Sequence, residues 1–223
     1  MKFFTKKRVV LFLLFIFPLI CFLILSTGEN NFKKLPVLTE NIIDVSEIDA
    51  SRSVQLKDNV TIICFLGDDI NTIKSGLFNL NEKVYKKFTD YKKFQIIGIY
   101  PKGKEQEVQK LKKDIGAFTD MQKWRFIAST KAEIEAFYSS FDFNEPLVNL
   151  SSSKAFLIDK DVNLRGRLND EDEVGGKLYG YNMNSVAVLN GKLKDDVNVL
   201  YYEYYAAFKE KNKNKADRKE VGL

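Results

Sequence analysis

Four oxygen-bearing side chains, Asp68, Asp69, Asn71 and Thr72, follow an uninterrupted apolar run, Val60-Thr61-Ile62-Ile63-Cys64-Phe65-Leu66. Carboxylates gathered at the carboxyl end of a buried strand can line a pocket for a hard cation or meet a basic partner. The same residues suit a turn whose Asp and Asn side chains cap the next helix. Calcium takes six or more oxygens, and the spacing here lacks the usual loop pattern. A second polar group is Ser151-Ser152-Ser153. A serine nucleophile needs an activating base, and with no histidine in the chain only Lys154 or a carboxylate is at hand. Tyr201, Tyr202, Tyr204 and Tyr205 form a third cluster, and aromatic residues of this kind are enriched at interfaces.

Absent residue types bound the chemistry more tightly. There is no histidine and there are two cysteines, Cys21 and Cys64, each within an apolar run. Histidine is the usual base near neutral pH and the commonest metal ligand, and the thiolate is the usual redox centre. The chain therefore cannot build a His/Cys metal site or run a dithiol cycle in one cleft, and no metal, cofactor or catalytic residue is expected. No phosphate-binding glycine loop occurs. The net charge of +5 lies largely at the two ends and forms no basic stripe interleaved with aromatics, which argues against nucleic acid. An acidic run, Asp170 to Glu173, reads as a solvated loop or a patch for a cationic partner.

The elements that position these residues are legible in part. Residues 9–26 carry no charge over 18 positions and follow Lys2, Lys6, Lys7 and Arg8. That length approaches a membrane span. The flanking cations place the amino terminus in the cytoplasm and the rest across the inner membrane, in the periplasm. A cleaved signal peptide is the alternative, but the exit Ser26-Thr27-Gly28-Glu29 is a poor cleavage site, and Ile20 before Cys21 does not suit lipidation. The expected organisation is a basic segment 1–8, an anchor 9–27, a tether 28–50, a globular domain 51–208 and a disordered charged tail 209–223. Strands are expected at 59–66, 94–100, 125–128, 154–159 and 164–167. Helices are expected around Leu77, Leu80, Val84 and Phe88; around Val108, Leu111, Ile115 and Phe118; and around Ile134, Phe137, Tyr138 and Phe141. A long final helix steps through Val186, Leu189, Leu193, Val197, Leu200, Tyr204 and Phe208, with Trp124 and the tyrosines packing it. Alternating strands and helices imply an α/β fold with a central, largely parallel sheet covered on both faces, in the order of a thioredoxin-like fold.

Local wording carries a resemblance. Met121-Gln122-Lys123-Trp124-Arg125-Phe126-Ile127, Lys131-Ala132-Glu133-Ile134, and Ser151-Ser152-Ser153-Lys154-Ala155-Phe156-Leu157-Ile158-Asp159-Lys160-Asp161 with Leu164-Arg165-Gly166 resemble segments of the SCO/SenC family over roughly half the chain. Phe78 to Lys86 also resembles a segment of bacterial envelope proteins. The SCO/SenC resemblance implies a single-span, thioredoxin-like protein that helps deliver copper to cytochrome oxidase. The chain departs from the family at the ligands. No C-x-x-x-C follows the first strand, Cys64 falls too early, and Ser151 stands where the family has its histidine. Hydroxyls are poor copper ligands, so the metal role does not carry over.

The expected protein is therefore a non-catalytic, membrane-tethered, thioredoxin-like envelope protein that binds protein partners. It would act as an assembly or accessory factor, with a respiratory oxidase as the partner the resemblance suggests. Asp68, Asp69, Asn71, Ser151, Tyr201 and Tyr205 are the candidate contact residues. A constitutive subunit of a membrane complex and an enzyme using the 68–72 loop are the alternatives.

Overall fold

The computed structural model describes residues 6–26 and 34–220. The chain divides into two units, Met1–Lys33 and Lys34–Leu223.

The first unit is helix α1 (residues 6–26). It is α-helical over Lys6–Leu11, widens to a π turn over Phe12–Ile16, and is α-helical again over Phe17–Ser26. Pro18 explains the widening. It has no N–H for the Leu14 carbonyl one turn back, and the Phe17 N–H instead reaches the Phe12 carbonyl. None of these three segments, nor any other helix of uniform type among the described residues, is by itself long and apolar enough to cross a membrane, so the anchor expected over 9–27 corresponds to a helix whose hydrogen-bond pattern changes twice. Residues 27–33, with the start of the expected tether, lie outside the described residues.

The second unit holds a seven-stranded sheet: β1 (Val37–Thr39), β2 (Val60–Leu66), β3 (Phe94–Pro101), β4 (Trp124–Ser129), β5 (Ser151–Ile158), β6 (Leu164–Arg165) and β7 (Tyr181–Asn182). Its order is β1-β6-β5-β2-β3-β4, with β7 beside β5. Strands β2, β3 and β4 are parallel; β5 runs antiparallel to β2 and turns back into β6. Among the described residues of this unit the longer helices are α2 (residues 74–88), α3 (Glu105–Gly116), α4 (Lys131–Ser139) and α5 (residues 186–220). This is a mixed α/β, thioredoxin-like fold ending in a long helix.

The alternating residues of β2 divide between two cores. Val60, Ile62, Cys64 and Leu66 pack with Leu77, Leu80 and Val84 of α2, Val108, Leu111 and Ile115 of α3, and Leu189, Leu193, Val197 and Leu200 of α5. Ile63 and Phe65 face the other way, onto Ile134 and Phe137 of α4 and onto Val45, Ile48 and Leu56. Burial on both faces is why β2 and β3 read as continuous apolar runs. On the second face Phe65 meets Phe137, Tyr138, Phe141 and Phe156 within 6.1 Å.

Several expectations are corrected. The domain begins well before residue 51: Leu35, Ile42, Val45 and Ile48 are buried, and β1 pairs with β6. Side-chain turns organise this stretch. Asp44 caps the short 3-10 helix Val45–Glu47 and accepts from the Leu56 and Lys57 N–H groups. Asp49 accepts from the N–H groups of Ser51, Ser53 and Val54. Strand β5 starts at Ser151, earlier than expected, because its first residues are serines without an apolar signature. Phe118 falls beyond the end of α3 and is exposed. Trp124 meets the rings of Tyr85 and Phe126, in the core cluster that also holds Leu193, Val197 and Leu200 of the final helix. Helix α5 continues to Glu220, beyond Lys209, where a disordered tail is expected; the stretch is dominated by Lys, with Glu and Arg, which favour helix. Asp170 is buried against Lys192 at 2.5 Å and not solvated.

Candidate binding cleft at the carboxyl end of β2

Strand β2 ends at Leu66, and Gly67 turns the chain with φ +71. A Cβ there would collide with the Ser151 side chain and lie 2.7 Å from the Asn149 carbonyl oxygen, so only glycine lets β2 and the start of β5 approach this closely. The Asp68 N–H then donates to the Asn149 carbonyl at 3.0 Å. Asp69 is the N-cap of a 3-10 turn, Ile70–Thr72; its Oδ1 accepts from the Asn71 N–H and from Asn71 Nδ2, each at 3.1 Å. The Thr72 hydroxyl donates to the Asp69 carbonyl at 2.8 Å. The capping role read from sequence is therefore the role of Asp69, while the Asp68 side chain is exposed to solvent.

Two adjoining hollows open beside this turn. One, of about 350 Å³, is lined by Asp69, Thr72, Glu145, Val148 and Ser151 through Ser153; the other, of about 420 Å³, by Asp68, Lys131, Glu135, Asn149 and Leu150. Tyr138 lines both. Its hydroxyl donates to the Glu145 carbonyl at 2.6 Å, and burial, aided by the Glu145 charge, pushes its pKa up to about 12. It stays neutral and acts as a fixed wall. Lys154 pairs with Glu145 at 2.7 Å.

The structure thus brings Asp69 and Ser151 to one hollow and Asp68 to the adjoining one; Asn71 hydrogen-bonds Asp69 but lines a different hollow, with Lys74, Glu107 and Asp114. Tyr201 and Tyr205 are elsewhere. They line a separate groove with Tyr91, just ahead of β3, at the opposite end of the parallel strands from Asp68. Tyr138, Glu145 and Asn149 belong to the cleft but were not read from the sequence. Tyr138 counted there only as helix core, and the remaining signal is the turn that Asn149 and Leu150 make with positive φ (48 and 62).

Sulfur chemistry is closed off from this cleft. Cys64 is fully buried on the α2/α5 face, with Sγ 3.8 Å from Met183 Sδ. Burial drives its thiol far above the usual range, so no thiolate is available near neutral pH. Cys21 belongs to the other unit, and both cysteines are free. Among the described residues no three or more His, Cys, Asp or Glu side chains converge as a metal site. The copper that the family resemblance implies does not fit the donors present, which are carboxylate, hydroxyl and carboxamide oxygens. Such a cleft can hydrogen-bond and neutralise a polar or cationic surface.

No family model matches the chain, and no curated relative does. Among solved structures, a candidate protein disulfide isomerase from Bacteroides thetaiotaomicron is 14% identical, covering 79% of this chain and 99% of its own, with a TM-score of 0.49. BsSco, a member of the Sco family of cytochrome c oxidase assembly proteins, is 15% identical over 76% of this chain and 97% of its own, at 0.47. A thiol:disulfide interchange protein from Chlorobium tepidum is 16% identical over 60% and 86%, at 0.42. The fold assignment rests on the strand order and pairing given above.

Proposed function

We propose that this chain is a membrane-tethered binding protein on a thioredoxin-like scaffold, without redox or metal chemistry of its own. One observation carries the reading. The end of β2 seats Gly67 against Ser151 and leaves Asp68 and Asp69 lining two adjoining hollows beside it, while Cys64 is buried against Met183. Those groups recognise a polar or basic surface and exchange neither electrons nor soft ions. The reading makes the protein an accessory or assembly factor of an envelope complex, and the resemblance to SCO/SenC proteins makes a respiratory oxidase the first complex to examine.

The tether is α1. Its α, π and α segments join through helical backbone at Leu11 and Phe17, so the helix bends its hydrogen-bond pattern without breaking its course. The 18 uncharged residues at about 1.5 Å each rise about 27 Å, close to the hydrocarbon thickness of about 30 Å. Π turns and proline are tolerated in spans because neighbouring groups re-satisfy the freed carbonyls. The preceding cations favour an amino terminus inside and a globular unit in the periplasm.

The test is Cu(I) titration of the full chain in mild detergent, followed by affinity purification from membranes. The expected results are no stoichiometric tight copper binding and recovery of a membrane complex in sub-stoichiometric amount. Tight equimolar copper binding overturns the proposal; recovery in fixed ratio makes the chain a constitutive subunit instead.

A further inference from the structure

We propose that the exposed aromatic segment of α5, with the basic stretch that follows it, lies on the surface of an anionic phospholipid bilayer. The inference rests on the tether reading above.

Tyr201, Tyr205 and Phe208 fall at i, i+4 and i+7, on one face of the helix. Tyr205 and Phe208 are 66% and 63% exposed. Tyr201 packs against Tyr91, ring centroids 4.4 Å apart and planes tilted by 48°, and the two line a groove of about 420 Å³ with Asn198, Tyr202 and Tyr205. This is an open aromatic patch at the point where α5 leaves the body of the fold: Leu193, Val197 and Leu200 are fully buried, and residues 205–209 are exposed.

Two observations choose the occupant. The first is charge. Directly after Phe208 come Lys209, Lys211, Lys213, Lys215, Arg218 and Lys219, against Glu210, Asp217 and Glu220. Aromatic side chains settle at the headgroup level of a bilayer, and a run with excess lysine beside them is drawn to anionic lipid. The second is chain length. The Leu35 N–H donates to Glu203 Oε1 at 2.5 Å, which fixes the start of the domain to the turn of α5 that carries the patch. Eight residues, 27–34, lie between the end of α1 and Leu35, a length of chain that extends to about 28 Å. A bilayer holding α1 therefore supplies headgroups within that reach of Glu203, and the local concentration of surface is high.

The test uses the full chain in nanodiscs of phosphatidylcholine alone or mixed with phosphatidylglycerol, with limited trypsin cleavage after Lys209 and Lys211 as the readout. The expected result is cleavage slowed on the order of tenfold in the anionic discs, with the protection lost in high salt and in Y205S/F208S. Trp124 fluorescence, from the buried sheet, checks that the variant is folded. Equal cleavage in both lipids, or undiminished protection in Y205S/F208S, overturns the inference; so does protection that appears only when another protein is added. A chain that washes off the membrane in alkaline carbonate overturns the tether itself, whereas one that resists carbonate without lipid-dependent protection overturns this inference alone.

Discussion

Acidic side chains meet opposite fates in two regions of the globular unit. In the cleft after β2, Asp68 and Asp69 stand in solvent, and Asp69 spends its carboxylate on the turn that carries it. Along the seam between α5 and the β5–β6 edge, carboxylates are buried and paired across long stretches of chain. Arg165 Nη1 meets Asp159 at 3.1 Å and Nη2 meets Glu203 at 2.5 Å. Arg167 grips Asp196 through two nitrogens, at 2.8 and 2.9 Å, and the Tyr181 hydroxyl donates to the same carboxylate at 2.7 Å. Lys192 holds the buried Asp170 and, at the exposed rim of the seam, Asp172. The seam uses charge to fix where the final helix lies; the cleft leaves its charge facing outward, where a partner can use it. A charged residue thus argues for recognition only when the fold has no other claim on it.

Breaking the seam gives the largest effect. Arg165→Ala leaves Asp159 and Glu203 facing one another without a cation in a nearly dry setting, which costs about 3–5 kcal/mol. Urea unfolding of the full chain in detergent measures it. A loss no larger than that of Asp68→Asn would erase the distinction between the two regions. Gly67→Ala comes next and strikes the junction itself. It forces a side chain into the left-handed region and against Ser151 and the Asn149 carbonyl, at about 1–3 kcal/mol. Tyr138, in the neighbouring wall, should hold its place in this variant, so its ionisation on alkaline titration should stay near the value of the parent chain.

Acid probes the carboxylates that the fold has already claimed. Burial alone would raise the carboxyls of Asp170 and Asp49, but hydrogen bonds outweigh it and hold both below the ordinary aspartate value: from Lys192 and the Asp172 N–H for Asp170, and from Ser51, Val54 and Ser53 for Asp49. A carboxyl depressed in the folded state contributes stability that is complete above the unfolded value of about 3.9 and is lost as pH falls through the folded value. The urea midpoint should therefore decline below about pH 4, and Asp170→Asn should flatten part of that decline. An unchanged acid limb in Asp170→Asn would remove Lys192–Asp170 from the set of pairs that matter.

The sequence displayed these regions unequally for physical reasons. Strands β2 and β3 are buried on both faces, so their apolar runs are unbroken, and the helices α2 and α4 show every expected contact residue buried. The end of β2 marks out Asp68, Asp69 and Asn71, whereas Ser151 enters through the serine triplet and the family resemblance. The segment 35–50 reads as part of a tether because its order comes from Asp44 and Asp49 hydrogen-bonding nearby N–H groups, which leaves no period in the sequence. The seam was invisible for a different reason: Arg165 and Glu203 are 38 residues apart, and nothing local in either stretch announces the other. The π turns at Phe12–Ile16, Asn81–Tyr85 and Leu189–Leu193 shift helical phase without changing composition.

The smallest expected change in stability is also the sharpest test of the cleft. Asn accepts through its Oδ1 as Asp does and is an equally good cap. Asp69→Asn should therefore keep the Ile70–Thr72 turn while removing one charge, and Asp68→Asn removes a charge from an exposed side chain. Together they should shift stability by no more than about 0.5 kcal/mol. Asp69→Ala, which deletes the cap, should cost about 1 kcal/mol. If the Asn pair abolishes recovery of the membrane complex at unchanged stability, the carboxylates serve a partner or a reaction. If only Asp69→Ala has an effect, and it tracks the lost stability, the acids of the cleft are as architectural as those of the seam, and the contact surface must be sought at Tyr138 and Ser151.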